Sequence, residues 1–124
     1  MEHDPNGIYT YNAIIAAVYD GDTATADVDL GFNVWAKKSK LRFYGIDTAE
    51  LRGGTEETKA AAVSARDFVR EKILGKEVRV KSLGKGKYGR YLAISWQIDD
   101  NGDPLPESLN DALIRLGLAK EYLE

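Results

Sequence analysis

The stretch from Leu41 to Val80, LRFYGIDTAELRGGTEETKAAAVSARDFVREKILGKEVRV, passes from strand to helix and back to strand, and that order decides the fold. Leu41 to Ile46 has the apolar and aromatic content of a strand. Leu51 to Gly54 reads as a loop. Thr55 is placed to cap a helix, with Glu56 and Glu57 in a first turn whose positive dipole end favours acids. Ala61, Ala65, Phe68, Val69 and Ile73 recur at helical spacing and predict one buried stripe. Gly75 stands where a left-handed C-terminal cap is expected. Beyond it, Val78 and Val80 alternate with Arg79 and Lys81, which predicts a short fourth strand.

Towards the N-terminus, Ile8 to Tyr19 reads as a first strand that breaks at Asp20-Gly21. Thr23 to Leu30 reads as a second, exposed on the face that carries Asp27 and Asp29. Gly31-Phe32-Asn33 interrupts it, and the basic run Lys37-Lys38-Ser39-Lys40 reads as a turn before the third strand. Towards the C-terminus, Gly84 to Gly89 forms a glycine- and lysine-rich loop. Leu92, Ile94, Trp96 and Ile98 alternate strictly as a fifth strand, with Trp96 in the core, up to the turn Asp100-Asn101-Gly102. Leu109, Ala112, Leu113 and Leu116 mark a second helix closed by Gly117. The expectation is a β-rich α+β fold, a five-stranded OB-fold barrel. One helix lies between strands three and four, and a second follows strand five; such barrels often bind nucleic acid along one face. Residues 1–7 read as a flexible leader and 8–122 as a single domain.

Composition narrows the chemistry. The 124 residues suit one domain, and the absence of cysteine excludes disulfides, thiolate metal sites and a thiol nucleophile. The N-terminus lacks a signal peptide's basic and apolar regions and no apolar run could span a bilayer, so no membrane partner is expected and the localisation stays unknown, cytoplasmic by default; a monomer is expected. Net charge is −3, but it is unevenly placed: −6 over residues 1–36, +8 over 37–90 and −5 over 91–124. A basic block between acidic flanks is either a solvated face or a local field for a polyanion.

Four motifs bear on that choice. Asp20-Gly21-Asp22-Thr23 puts two carboxylates at a strand boundary, as an ordinary turn or as ligands for a hard cation. Asp47-Thr48-Ala49-Glu50 adds two more after the third strand, and Arg42 lies five residues before Asp47. Lys87-Tyr88-Gly89-Arg90 ends a basic loop with an arginine able to grip a phosphate through two parallel hydrogen bonds. The fourth is Leu116-Gly117-Leu118-Ala119-Lys120. His3 lies in the leader and is read as outside the chemistry. Phe32 and Trp35 read as partly exposed hairpin packing, with stacking on bases as the alternative.

Together, in this order and over roughly residues 12–120, the motifs resemble the staphylococcal nuclease family. The resemblance implies a calcium-dependent phosphodiesterase that hydrolyses DNA, RNA or both and leaves 3′-phosphate ends. Asp22 and Asp47 then correspond to carboxylate ligands of the Ca2+ ion, with the backbone carbonyl of Thr48 and with Asp20 in support behind them. Glu50 corresponds to the residue that orients or deprotonates the attacking water, and Arg42 and Arg90 to the pair on the scissile phosphate. Lys87 and Tyr88 correspond to positions near a terminal substrate phosphate.

Three departures accompany the likeness. Ala49 stands where proline is usual, and the chain ends soon after Lys120, where the family has a third helix. The Asp22–Arg42 interval is long, implying an extended hairpin with Trp35 near its tip. Tyr122 falls near a family tyrosine but is not assigned a role. The alternatives are a non-catalytic module binding nucleic acid or peptide on the same fold, and an interaction domain of a larger assembly working through its acidic flanks.

Overall fold

The computed structural model describes residues 3–122. In chain order its elements are β1 (Thr10–Asp20), β2 (Thr23–Asp29), β3 (Trp35–Phe43), β4 (Ile46–Asp47), α1 (Glu56–Ile73), β5 (Glu77–Lys85), β6 (Tyr91–Gln97), α2 (Leu109–Arg115) and β7 (Lys120–Glu121). Strands β1-β2-β3-β6-β5 close into a barrel, while β4 and β7 pair apart from it. Neighbours in the barrel run antiparallel except β3 and β6, which run parallel from Leu41↔Tyr91 to Phe43↔Ala93. This is the expected five-stranded OB-type barrel with two helices. Among the described residues no helix is long and apolar enough to cross a membrane.

Alternation along the strands fills the barrel. Ile15, Phe43 and Val78 are almost wholly buried, and Ile46 joins the same core from β4. Each such side chain contributes roughly 1.5–3 kcal/mol by leaving water. Helix α1 begins as its sequence predicts: Thr55 Oγ1 accepts from Thr58 N at 3.2 Å, and Thr55 N donates to Thr58 Oγ1 at 2.9 Å, a reciprocal cap built on two threonines. Past its end, Gly75 (φ +73°) donates to Ile15 O at 2.8 Å and stitches the exit onto β1.

Two expectations need correction. The buried stripe of α1 is Ala62, Ala65, Val69 and Ile73, with Phe68 half-buried and Ala61 in solvent. The run Ala60-Ala61-Ala62 gives the pattern no phase of its own, so packing against β1 sets it. Nor do Lys37 to Lys40 form a turn. They lie within β3, which begins at Trp35, and the hairpin turns at Gly31-Phe32-Asn33. Asp27 explains the difference: its carboxylate accepts from Lys38 N at 2.9 Å and lies 3.8 Å from Lys37 Nζ, so a cross-strand partner overrides the local charge pattern.

Candidate functional site

The β1–β2 turn is compact because Asp20 folds back on it. Its Oδ1 accepts from Asp22 N at 3.1 Å and from Thr23 Oγ1 at 2.6 Å. Gly21 lets the turn sink against its neighbours; a Cβ there would stand 2.7 Å from Thr48 Cγ2 and 2.8 Å from Ala65 Cβ. The turn thereby packs on both α1 and the loop after β4, and Asp22 Oδ2 accepts from Thr48 N at 3.2 Å. Burial, the hydrogen bond with Asp20 and that residue's charge push the Asp22 carboxyl up to about 7, against the opposing pull of Arg42 and the Thr48 N–H. Asp20 is displaced the other way: burial raises it, but hydrogen bonds from Asp22 and Thr23 outweigh that and hold it below its ordinary value.

Arg42 emerges from β3 beside this turn, opposite Thr23 on one side and Leu92 on the other. It is buried, and its fork is held by two carbonyls, Nη1 donating to Phe43 O and Nη2 to Ile46 O, both at 2.8 Å. Held there, Nη2 lies 3.5 Å from Asp22 Oδ2 and 3.5 Å from Asp47 Oδ1. The two carboxylates thus flank one guanidinium, Asp22 covered and Asp47 largely open to solvent. Thr48 is buried, and its Oγ1 has no partner.

The loop between β5 and β6 tightens into a turn at Lys87–Gly89, in which Tyr88 takes φ +64°. Gly86 N donates to Arg90 O at 2.7 Å and closes the loop. Arg90 lies two residues before Leu92, the partner of Arg42, so strand alternation sets both arginines on one side of the sheet. Its guanidinium carbon stands 5.8 Å from the centre of the Tyr88 ring, and its Nε is buried without a partner.

These groups line one cleft of about 640 Å³. Asp20, Asp22, Arg42, Asp47, Thr48 and Glu50 line it together with Lys87, Tyr88 and Arg90. Every site residue named from the sequence is therefore brought together. The cleft also holds Tyr19 and Arg52, which sequence reasoning left out, and Tyr122, to which it assigned no role. Arg52 sits in a glycine-rich loop that has no periodicity to flag it. Tyr122 is seated by the pairing of Ile46–Asp47 with Lys120–Glu121 and by its own N–H to Gly45 O at 2.9 Å, a two-residue ladder too short to leave a pattern.

A second depression of about 630 Å³ lies beside α2, but Asp4, Glu107 and Asp111 line it and repel a phosphate. His3 lies there too, away from the cleft, its pKa lowered by burial and by Lys81.

The cleft combines paired carboxylates, two arginines and an unengaged acid, a set able to hold a cation, clamp a phosphodiester and receive a proton. Among the described residues, no three His, Asp or Glu side chains converge closely enough to hold a metal by themselves. No curated protein matches the chain. A family model described as staphylococcal nuclease homologue matches residues 40–124, from just before Arg42 to beyond Tyr122, while Asp20 and Asp22 precede the match. With the closed barrel and more than half of the chain matched, this protein belongs to the staphylococcal nuclease homologue family.

Proposed function

We propose that the protein is a calcium-dependent nuclease that hydrolyses phosphodiester bonds of DNA, RNA or both and leaves 3′-phosphate ends. The observation that carries this reading is the meeting of Arg42 from β3 and Arg90 from the turn just before β6 with Asp22, Asp47 and Glu50 in one cleft.

The chain's own donors suit the ion. Calcium takes six to eight oxygen ligands, and Asp22 with Asp47 supplies carboxylates beside the backbone of Thr48, leaving the remaining positions to water and a substrate phosphate oxygen. Burial and the neighbouring Asp20 raise the Asp22 carboxyl, and Thr48 Oγ1 is unpartnered beside it, features that a bound cation with its water would relieve. When bound, the ion would supply Lewis-acid polarisation of the phosphate.

The remaining work falls to side chains. Glu50 is exposed in the cleft, free to orient a water and accept its proton as the oxygen attacks phosphorus. Arg42 and Arg90 offset the charge that grows on the phosphoryl oxygens. The P–O5′ bond then breaks, the 5′ oxygen leaves as an alcohol after taking up a proton, and the phosphate stays on the 3′ side. Lys87 and Tyr88 line the same cleft and are available to receive a neighbouring phosphate.

Digestion of end-labelled single-stranded DNA and RNA, with calcium and with chelator, tests this. Cleavage is expected only with calcium, with 3′-phosphate products. Glu50→Gln is expected to fold and to lose roughly 10²–10⁴-fold in turnover. Binding without cleavage in calcium would make the protein a nucleic-acid-binding module instead.

A further inference from the structure

The β2–β3 hairpin reaches beyond the cleft with a surface that the chemistry above does not use. At its apex Gly31, Phe32 and Asn33 all have positive φ, +80°, +51° and +63°. Glycine and asparagine accept that conformation readily, whereas a phenylalanine adopts it under strain. Phe32 nevertheless stands there fully in solvent, and Trp35 close by is 38% exposed. Nothing inside the barrel accounts for a strained, solvated phenyl ring.

A bulge aligns the strand behind it. β2 and β3 slip register between Ala26 and Val28, where Lys38 takes φ +54°. The extra residue moves the two-residue alternation by one step. Ala36, Ser39 and Leu41 then turn inward and line the mouth of the barrel. Trp35, Lys37, Lys40 and Arg42 share the outer face. Lys37 Nζ lies 5.3 Å from the centre of the Trp35 ring, and Lys40 Nζ lies 5.5 Å from that of Tyr19, itself part of the cleft wall. Cations and rings thus run in file from the cleft to the apex, on the order of 20 Å along β3. Lys37 also meets Asp27 at 3.8 Å, yet its side chain stays 67% exposed and open to a second anion.

We propose that the outer face of β3 and the hairpin apex form a second binding site for single-stranded nucleic acid, with bases stacked on Trp35 and Phe32 and phosphates on Lys37 and Lys40. The inference rests on the nucleic-acid reading of the cleft and extends it to residues 32–40, of which only Lys40 falls within the family match. Every base has a face that can stack, and lysine contacts read only the backbone, so the site takes DNA or RNA without regard to sequence. Continuity favours a polyanionic chain over a lipid surface, because the cations lead in line to Arg42 rather than ringing the apex.

Tryptophan fluorescence and oligonucleotide length provide the test. Trp96 is 2% exposed, so an emission change on binding reports Trp35. The full chain, in chelator, is titrated with oligothymidylates of twelve and four nucleotides. The longer strand is expected to quench the emission and to bind more tightly. Trp35→Ala, and separately Phe32→Ser, are each expected to lower the ratio of long-strand to short-strand affinity about fivefold or more, the lower end for one lost base stack. Phe32 is wholly solvated, so its variant stays informative if Trp35→Ala folds poorly. An unchanged ratio in Phe32→Ser and in folded Trp35→Ala overturns the proposal. So does a Trp35 emission shift produced by phosphatidylserine vesicles and not by the twelve-nucleotide strand, which would assign the apex to lipid. Quenching and a length advantage in a protein that never cleaves would sink the catalytic reading and leave this one standing.

Discussion

Asp22 keeps its proton up to about pH 7 in the folded protein, where an ordinary aspartate has lost it near 3.8. Between those values the metal-free folded state therefore binds more protons at this residue than the unfolded chain does. The contribution of Asp22 to stability falls as pH rises through that window and is level above it. Asp20, held below its ordinary value, acts oppositely at lower pH. A cation on Asp22 must displace the proton, so calcium affinity is expected to weaken by about tenfold per unit below pH 7. Calorimetric titrations at pH 8 and pH 6 check this; equal affinities would remove Asp22 from the ligand set. The neighbouring Gly21 sets how tightly the turn can seat. Gly21→Ala adds a methyl group less than 3 Å from Thr48 Cγ2 and Ala65 Cβ, both on buried residues. Urea unfolding is expected to show a loss of roughly 1–3 kcal/mol, the usual range for overpacking.

Asn110 does for α2 what no hydrophobic pattern announces. It is fully buried, accepts from Ser95 N at 3.0 Å and donates to Tyr44 O at 2.9 Å and Ala93 O at 3.1 Å, tying the helix to β6 and to the chain leaving β3. Asn110→Ala leaves Ser95 N and Tyr44 O without those bonds and is expected to destabilise the protein by roughly 2–4 kcal/mol in denaturant titration. The residue was illegible in the sequence because one polar side chain in a short helix looks like surface. Helix α1 was legible because cap, acidic first turn, apolar stripe and terminal glycine agree; only its phase among three alanines was not. The hairpin was misjudged because Lys37 to Lys40 depend on Asp27, a partner eleven residues from Lys38. The same contrast holds in the cleft. Its motif-borne acids and bases could be read in order, whereas Tyr122 and Arg52 enter through a short strand pair and a loop.

Arg42 and Arg90 are brought together only by the closed barrel. Their strands are far apart in sequence and meet along the single parallel pairing, Leu41–Phe43 with Tyr91–Ala93. Arg42, Arg52, Lys87 and Arg90 from the basic middle of the chain line one cleft, and kcat/KM is expected to fall markedly with added salt. Salt dependence alone does not separate attraction of a polyanion from stabilisation of a transition state, but lysine substitution does. Lysine keeps the charge and loses the planar fork. If the fork acts on the transition state, Arg42→Lys and Arg90→Lys should each lower kcat by roughly 10²-fold or more, about 2.7 kcal/mol. The two should differ in stability. The Arg42 fork also satisfies Phe43 O and Ile46 O, which one ammonium cannot reach in the same geometry, so Arg42→Lys should in addition unfold more easily by roughly 1–3 kcal/mol. Among the described residues Arg90 makes no such structural bond and its buried Nε has no partner, so its variant should keep near-native stability. Turnover measured well below each variant's unfolding midpoint keeps the two effects apart. Near-native kcat with a raised KM in both variants would reduce the arginines to steering, and the cleft would then be better described as a binding surface.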